Sequence, residues 1–290
     1  MALIKVLNFL PKNILVNPLF NYYTAGENII SLNQKIIQLN KENLLPIADY
    51  IKEFSKTESD VNENINEYNK LGQLSNLDFI AIKLSSFLFN EQKINNTVEN
   101  LVKYNKKVLI DAEDVSNQEK INNITNNLIV KYNIQRPIIY KTYQMYRKDS
   151  LKNINDDLKS NHYNGFKIVR GAYYNQDKQS GLLYSKKEDT DKAFNEACDV
   201  IFNNLGQNKA FICTHNQNNI NKLIKTFNKD IHQNSIFHAS LYGFINNETS
   251  KLIGKQIKTY KYLPYGSLND ALPYLSRRLY ENPSVIKYLI

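Results

Sequence analysis

Eight short runs rich in aliphatic, β-branched and aromatic residues recur along this chain, mostly about 25–35 residues apart. They are NLLPIADY (43–50), DFIAIKLSSF (78–87), KVLIDAED (107–114), PIIYKTYQMY (137–146), FKIVRGAYY (166–174), AFICTHN (210–216), SIFHASLYGF (235–244) and TYKYLPYG (259–266). Each is followed by a stretch with helical character, so the repeat unit is one strand and one helix. Eight such units in an undivided chain of 290 residues predict an α/β fold of the (βα)8, TIM-barrel type. A doubly wound sheet is the rival, but no G-x-G-x-x-G follows any strand and no G-x-x-x-x-G-K-[ST] occurs. Residues 1–40 read as a helical segment packed on the barrel, with a breaker at Asn17-Pro18 and a turn at 24–27. Residues 41–290 read as the barrel itself. The polar stretch 55–76 reads as an exposed helix with loops.

Composition removes several function classes. No apolar run approaches the roughly 18 residues of a membrane-spanning helix. Two cysteines, Cys198 and Cys213, cannot build a disulfide framework, which suits an intracellular, reducing compartment. The formal charge of +9 invites a nucleic-acid reading, yet it comes from 32 lysines and only five arginines, alongside 43 asparagines. Scattered lysine lacks the guanidinium forks that phosphate recognition favours, so no nucleic-acid partner is expected. The stretch before Glu27 has Lys5 and Lys12 without acids, but lacks the arginines of a transit peptide.

The scarcity of arginine makes the adjacent pair Arg277-Arg278 informative, because a planar fork grips a carboxylate in a way an ammonium does not. Active sites of such barrels lie at the C-terminal ends of the strands. There the runs supply Lys83, Asp111, Glu113, Gln144, Arg170, Tyr173, Thr214, His215, Asn216, Leu241 and Tyr262. Three of nine glycines, Gly171, Gly243 and Gly266, fall at the same level. Lys83, Arg277 and Arg278 suggest a cationic clamp for a small carboxylate, with Asp111 orienting an arginine. Tyr173, Tyr262 and Tyr274 offer aromatic walls for a small ring. His162, His215, His232 and His238 form no metal-type motif, and no Ser-His-Asp or Cys-His case stands out. Chemistry on a small amino or hydroxy acid then calls for an organic cofactor. One rival is a barrel lyase using Lys83 as a Schiff-base nucleophile; another is an inactive relative.

The segments VRGAY (169–173), CTHN (213–216) and KYLPYGSLNDALPYLSRRLYEN (261–282) closely resemble the proline dehydrogenases. IKLS (82–85), LIDAED (109–114), TYQMY (142–146) and NPLFNYYTAGE (17–27) match in the same order, and the wording is closest to the eukaryote-like branch. The resemblance implies a flavoprotein that oxidises L-proline to Δ1-pyrroline-5-carboxylate by hydride transfer to FAD, with a last helix over the barrel mouth. It implies that Arg277, Arg278 and Lys83 bind the carboxylate, Asp111 supports them, and Tyr173, Leu241, Tyr262 and Tyr274 enclose the ring. For FAD the matching positions are Asp111, Gln144, Lys167, Arg170, Ala172, Thr190, His215, Asn216 and Glu281. It further implies electron transfer to a membrane quinone, and so a peripheral membrane contact, in mitochondria or a bacterial cytoplasm according to source. Tyr262 implies proline over hydroxyproline, since a smaller residue stands there in the hydroxyproline branch. Two positions depart from the branch: Ser240 where Gln is usual, and Tyr174 where Trp or Met is common. The sequence also lacks the long N-terminal extension and the insertion between early strands of many eukaryotic relatives.

Overall fold

The computed structural model describes residues 16–244, 248–281, 283 and 285. Eight parallel strands close into a barrel in sequence order: β1 (Leu45–Tyr50), β2 (Phe79–Ile82), β3 (Lys107–Ile110), β4 (Ile139–Gln144), β5 (Gly165–Val169), β6 (Lys209–Cys213), β7 (Ile236–Leu241) and β8 (Thr259–Tyr265). β1 pairs with both β2 and β8, which leaves no free edge. Six strands fall within the eight apolar runs, and β5 and β6 begin one residue before theirs. The runs are legible because a strand covered on both faces needs apolar residues at nearly every position.

Alternation along each strand divides the core in two. Outward side chains such as Ile80, Ile82, Val108, Ile110 and Leu263 pack under the helices. Inward ones fill the barrel with a layer of aromatic rings, Phe79, Tyr140, Phe211, Phe237 and Tyr260. Phe79 and Phe211 meet edge to face with centroids 5.0 Å apart, and Tyr260 lies 5.3 and 5.0 Å from them. Gly165 is the small member that makes room: a Cβ there would stand 2.6 Å from the Tyr140 ring. Above this plug the inward positions turn polar.

Two expectations need correcting. Asn17-Pro18 does not break a helix but begins one, Asn17–Tyr23, because proline in the first turn has no hydrogen bond to lose. The part of the N-terminal segment before residue 16, with its transit-like character, lies outside the described residues. Glu58–Gly72 is a helix as expected, started by a capping box of Thr57 and Asp60, but it is not wholly exposed. Val61, Asn64, Tyr68 and Leu71 are buried, and the Asn64 amide donates to Ser55 Oγ and to the Ser86 carbonyl. The turn at 24–27 is stitched to the end of β8 by Ala25 N–H to Pro264 O and Gly266 N–H to Gly26 O. Leu19, Phe20 and Tyr23 then pack with Ala271 and Leu275 of the last helix, Leu268–Glu281, and brace it.

Candidate active site

Above the aromatic plug, five inward positions form a buried polar floor. Asp49 is the penultimate residue of β1, Lys83 follows β2, Asp111 follows β3, Lys167 lies in β5 and Tyr262 in β8. The Lys83 ammonium donates to Asp49 and lies 3.6 Å from Asp111. Lys167 donates to Asp111 Oδ1 at 2.6 Å and to the Tyr262 hydroxyl at 2.7 Å, and that hydroxyl donates to Asp111 at 2.8 Å. Burial works against the charge on Lys83, but Asp49 and Asp111 more than offset it and hold the ammonium well above its usual range. A Schiff-base lysine needs the opposite, a readily neutral amine, so this environment removes the support for the lyase reading. Burial likewise would raise Asp111, yet Lys167 and Lys83 keep it below its ordinary value. Asp49 is pushed up to about 6, by burial first, with repulsion from Asp111 adding to it and Lys83 opposing.

The last helix forms the roof. Its Tyr274, Arg277, Arg278 and Glu281 stand three and four residues apart and so share one face. Arg277 is bound by Glu53, which follows β1, at 2.9 Å, and its guanidinium lies 5.1 Å over the Tyr173 ring. The Tyr173 hydroxyl donates to the same carboxylate at 3.4 Å. Arg278 pairs with Glu281 at 2.7 Å and lies 5.2 Å over the Tyr274 ring. The Arg278 Nε and the Tyr274 hydroxyl are buried with no protein partner, which marks them as groups facing a ligand.

The remaining wall follows β4 to β7. Gly171 turns the chain out of β5 with φ +127°, and a Cβ there would strike the Tyr146 ring. Gly243 and Gly266 also have positive φ, +82° and +140°. Gln144 donates to the Glu113 carbonyl at 2.8 Å and accepts from Ala172 N–H at 3.4 Å. Burial drives His215 down to about 3, so the ring is neutral at physiological pH and stacks on Phe244 with centroids 4.2 Å apart. Arg170 is braced by Asp191 at 2.8 Å, Thr214 at 2.9 Å and Asn219.

These surfaces enclose one cavity of about 410 Å³. Of the residues expected at the site, Lys83, Asp111, Gln144, Lys167, Arg170, Ala172, Tyr173, His215, Leu241, Tyr262, Tyr274, Arg277, Arg278 and Glu281 all line it. Thr190 and Asn216 do not. Thr190 is buried within the helix Lys187–Asn203, and the Asn216 side chain caps the helix Gln217–Thr226 by accepting from Asn218 and Asn219 N–H. Sequence reasoning missed Asp49 and Glu53. Asp49 had a signal, since the first run ends ADY at the level where the other runs supply polar groups; Glu53 had none. Ser240 lines the cavity and accepts from the buried Lys261 ammonium at 2.8 Å, while Tyr174 is exposed at the rim.

A family profile described as proline dehydrogenase matches residues 32–289. Proline dehydrogenase 1, mitochondrial, of Dictyostelium discoideum is 32% identical over 199 residues, 62% of this chain and 35% of that protein. The Homo sapiens protein of the same name is 28% identical over 198 residues, 62% of this chain and 33% of its own length. The chain thus spans about a third of these mitochondrial relatives. The carbapenem antibiotics biosynthesis protein CarD of Pectobacterium carotovorum subsp. carotovorum is 25% identical over 306 residues, covering 94% of this chain and 81% of CarD. Among solved structures, proline utilization A of Bdellovibrio bacteriovorus, inactivated by N-propargylglycine, superposes with a TM-score of 0.84 at 15% identity, over 93% of this chain and 33% of that one. At that identity the likeness speaks for the fold.

Proposed function

Since the chain belongs to the proline dehydrogenase family, we propose that its cavity binds L-proline and oxidises it to Δ1-pyrroline-5-carboxylate with FAD as cofactor. The observation that carries this reading is the convergence of Arg277, Arg278 and Lys83 with Tyr173, Tyr262 and Tyr274 around one cavity. Its cations suit a small carboxylate and its rings suit a partly apolar ring.

The residues present fit a flavin. The cavity volume lies in the range of small-molecule and cofactor sites, and its wall carries the charged donor Lys167, the Gln144 amide, the neutral His215 and the unpartnered Arg278 Nε. Lys167, Gln144, Arg170, Ala172, His215 and Glu281 would hold the cofactor, with Asp111 fixing Lys167. Thr190 and Asn216 would reach it from just outside the described lining. When bound, FAD supplies the acceptor for the hydride that leaves proline Cδ.

The chain's own part is to position the substrate. Lys83, Arg277 and Arg278 each carry a carboxylate partner, but only the roof arginines offer planar forks, so an incoming carboxylate docks on Arg277 and Arg278 with Lys83 completing the clamp. There it competes with Glu53 for Arg277. Asp111 holds the Tyr262 hydroxyl in place, so the ring of Tyr262 forms a fixed wall, which favours proline over hydroxyproline. Holding the reacting carbon in one orientation supplies much of the rate. The substrate amine reacts as the free base. The electrons then pass to a membrane quinone through a peripheral encounter; among the described residues no helix is long and apolar enough to cross a membrane. Cys198 and Cys213 are both free thiols, in keeping with a reducing compartment.

An absorption spectrum of the purified protein, taken before and after anaerobic L-proline, tests this reading. A flavin band that proline bleaches is the expected result. A band that proline leaves unchanged, or a colourless protein that FAD cannot reconstitute, overturns it.

A further inference from the structure

The opposite mouth of the barrel carries a second concentration of charge, which the proposed reaction does not use. β3 and β6 both begin with lysine, and Lys107 and Lys209 share the inward phase of Leu109 and Phe211, two residues further on. Lys258 directly precedes β8 with the phase of Tyr260, and Arg136 stands just before β4. The Lys107 ammonium lies 4.8 Å from the centroid of Phe79, at the centre of the aromatic plug. These cations feel one another. Lys209 is lowered from its usual range by burial first and then by Lys107, Lys258 and Arg136; Lys107 is lowered by burial and by Arg136 and Lys258, with Asp78 opposing. Asp78 is the acid that acts here, and it acts on Lys107 and on the Tyr260 hydroxyl.

Partners are scarce. Lys258 donates to Asn234 Oδ1 at 2.9 Å, while Arg136 and Lys209 have neither an ion pair nor a side-chain hydrogen bond among the described residues. The hydroxyl of Tyr140, a side chain 0% exposed, also has no partner, and its charged neighbour is Arg136. That hydroxyl is a buried donor without an acceptor near Arg136. Arg136 strengthens the case. Of five arginines, Arg147 pairs with Asp149, Arg170 with Asp191, Arg277 with Glu53 and Arg278 with Glu281; Arg136 alone lacks a carboxylate among the described residues.

We propose that this N-terminal mouth is a binding site for a small multivalent oxyanion of the phosphate class, held by Lys107, Arg136, Lys209 and Lys258. Such an anion sets four attractions against the mutual repulsions of cations at the starts of β3, β4, β6 and β8. This end of a (βα)8 barrel serves stability and not turnover, so the ligand acts on unfolding.

The test is thermal unfolding of the full chain in NaCl at constant ionic strength, titrated with sodium tripolyphosphate. The wild-type midpoint should rise saturably, by about 2–3 °C at a tenfold excess over the dissociation constant. Lys209→Gln and Arg136→Gln should each lose most of that rise. In anion-free buffer they should unfold at the same or a higher temperature than wild type, since each relieves repulsion. Lys152→Gln, an exposed lysine at the start of the helix Ser150–Leu158, should keep the full rise. Equal gains in all four proteins would mean general salt stabilisation of a basic chain and would overturn the site, as would no gain over NaCl. A drop in anion-free stability of both Lys209→Gln and Arg136→Gln would assign these side chains a structural role instead. The outcome is independent of whether proline is oxidised at the other end.

Discussion

The two mouths of this barrel carry similar numbers of cations and treat them differently. At the C-terminal mouth Lys83, Lys167, Arg170, Arg277 and Arg278 each have a carboxylate in contact, from Asp49, Asp111, Asp191, Glu53 and Glu281. At the N-terminal mouth Asp78 acts on Lys107, while Lys209 feels only other cations and Arg136 has no carboxylate in contact among the described residues. Matched charges inside a cavity stay buried and ionised, and a ligand there must exchange with a protein carboxylate. Unmatched charges at a rim stay solvated, repel, and await a counter-ion. The first arrangement suits selection and turnover, the second suits stability.

The largest effect that would break this contrast is at the roof. Arg277→Lys or Arg278→Lys keeps the charge but loses the fork, and should lower kcat/KM for proline by about 100-fold; steady-state assay with a soluble acceptor measures it. A loss under threefold would mean the forks do not hold the carboxylate. A second effect concerns Glu113, whose carboxyl is wholly buried beside this cavity, accepts from Ser85 N–H at 3.0 Å and leaves its other oxygen without a partner. Burial pushes it up to about 7. A carboxyl raised in the native state binds more protons there than in the unfolded chain, so it erodes stability as pH rises from about 4.5 to 7. Glu113→Gln should therefore be more stable than wild type at pH 8, by about 3 kcal/mol, and no more stable at pH 4; denaturant melts at the two values decide it.

Smaller shifts sharpen the picture. Tyr262→Ser should change the ratio of hydroxyproline to proline turnover about tenfold in favour of hydroxyproline, and an unchanged ratio would remove Tyr262 from the ring wall. The rate with proline should rise with pH to a plateau as the substrate amine loses its proton, whereas a profile flat from about pH 6 to 9 would contradict reaction through the free base. The smallest effect is expected at the other mouth: Lys209→Gln should leave proline turnover within about twofold of wild type.

The strands were legible because each is a local pattern, and the strand-end residues followed from the strands. What escaped was pairing across the closed barrel. Asp49 meets Lys83 over 34 residues and Glu53 meets Arg277 over 224, and no local spacing encodes either contact. The clamp of Lys83, Arg277 and Arg278 was expected without its counter-charges, Asp49 from β1, Glu53 from the loop after it and Glu281 from the last helix, and Asp111, expected to orient an arginine, holds Lys167 and Tyr262 instead. Pro18 was misread because proline that stops one helix can also start another. Thr190 and Asn216 came from motif matching alone: Thr190 is buried in its helix and the Asn216 Oδ1 caps the next one, neither lining the cavity. Asn64 looked like one more polar residue in a polar stretch, yet its amide anchors the turn after β2.

The closure of β1 on β8 has a bearing on synthesis. A ribosome delivers β1 early and its second neighbour last, so one side of β1 stays unpaired while most of the chain is made. For that whole interval Glu53 has no Arg277, and the wall that Tyr262 and Tyr274 complete does not exist. The nascent protein therefore carries an exposed strand edge and an incomplete pocket until the helix Leu268–Glu281 is made.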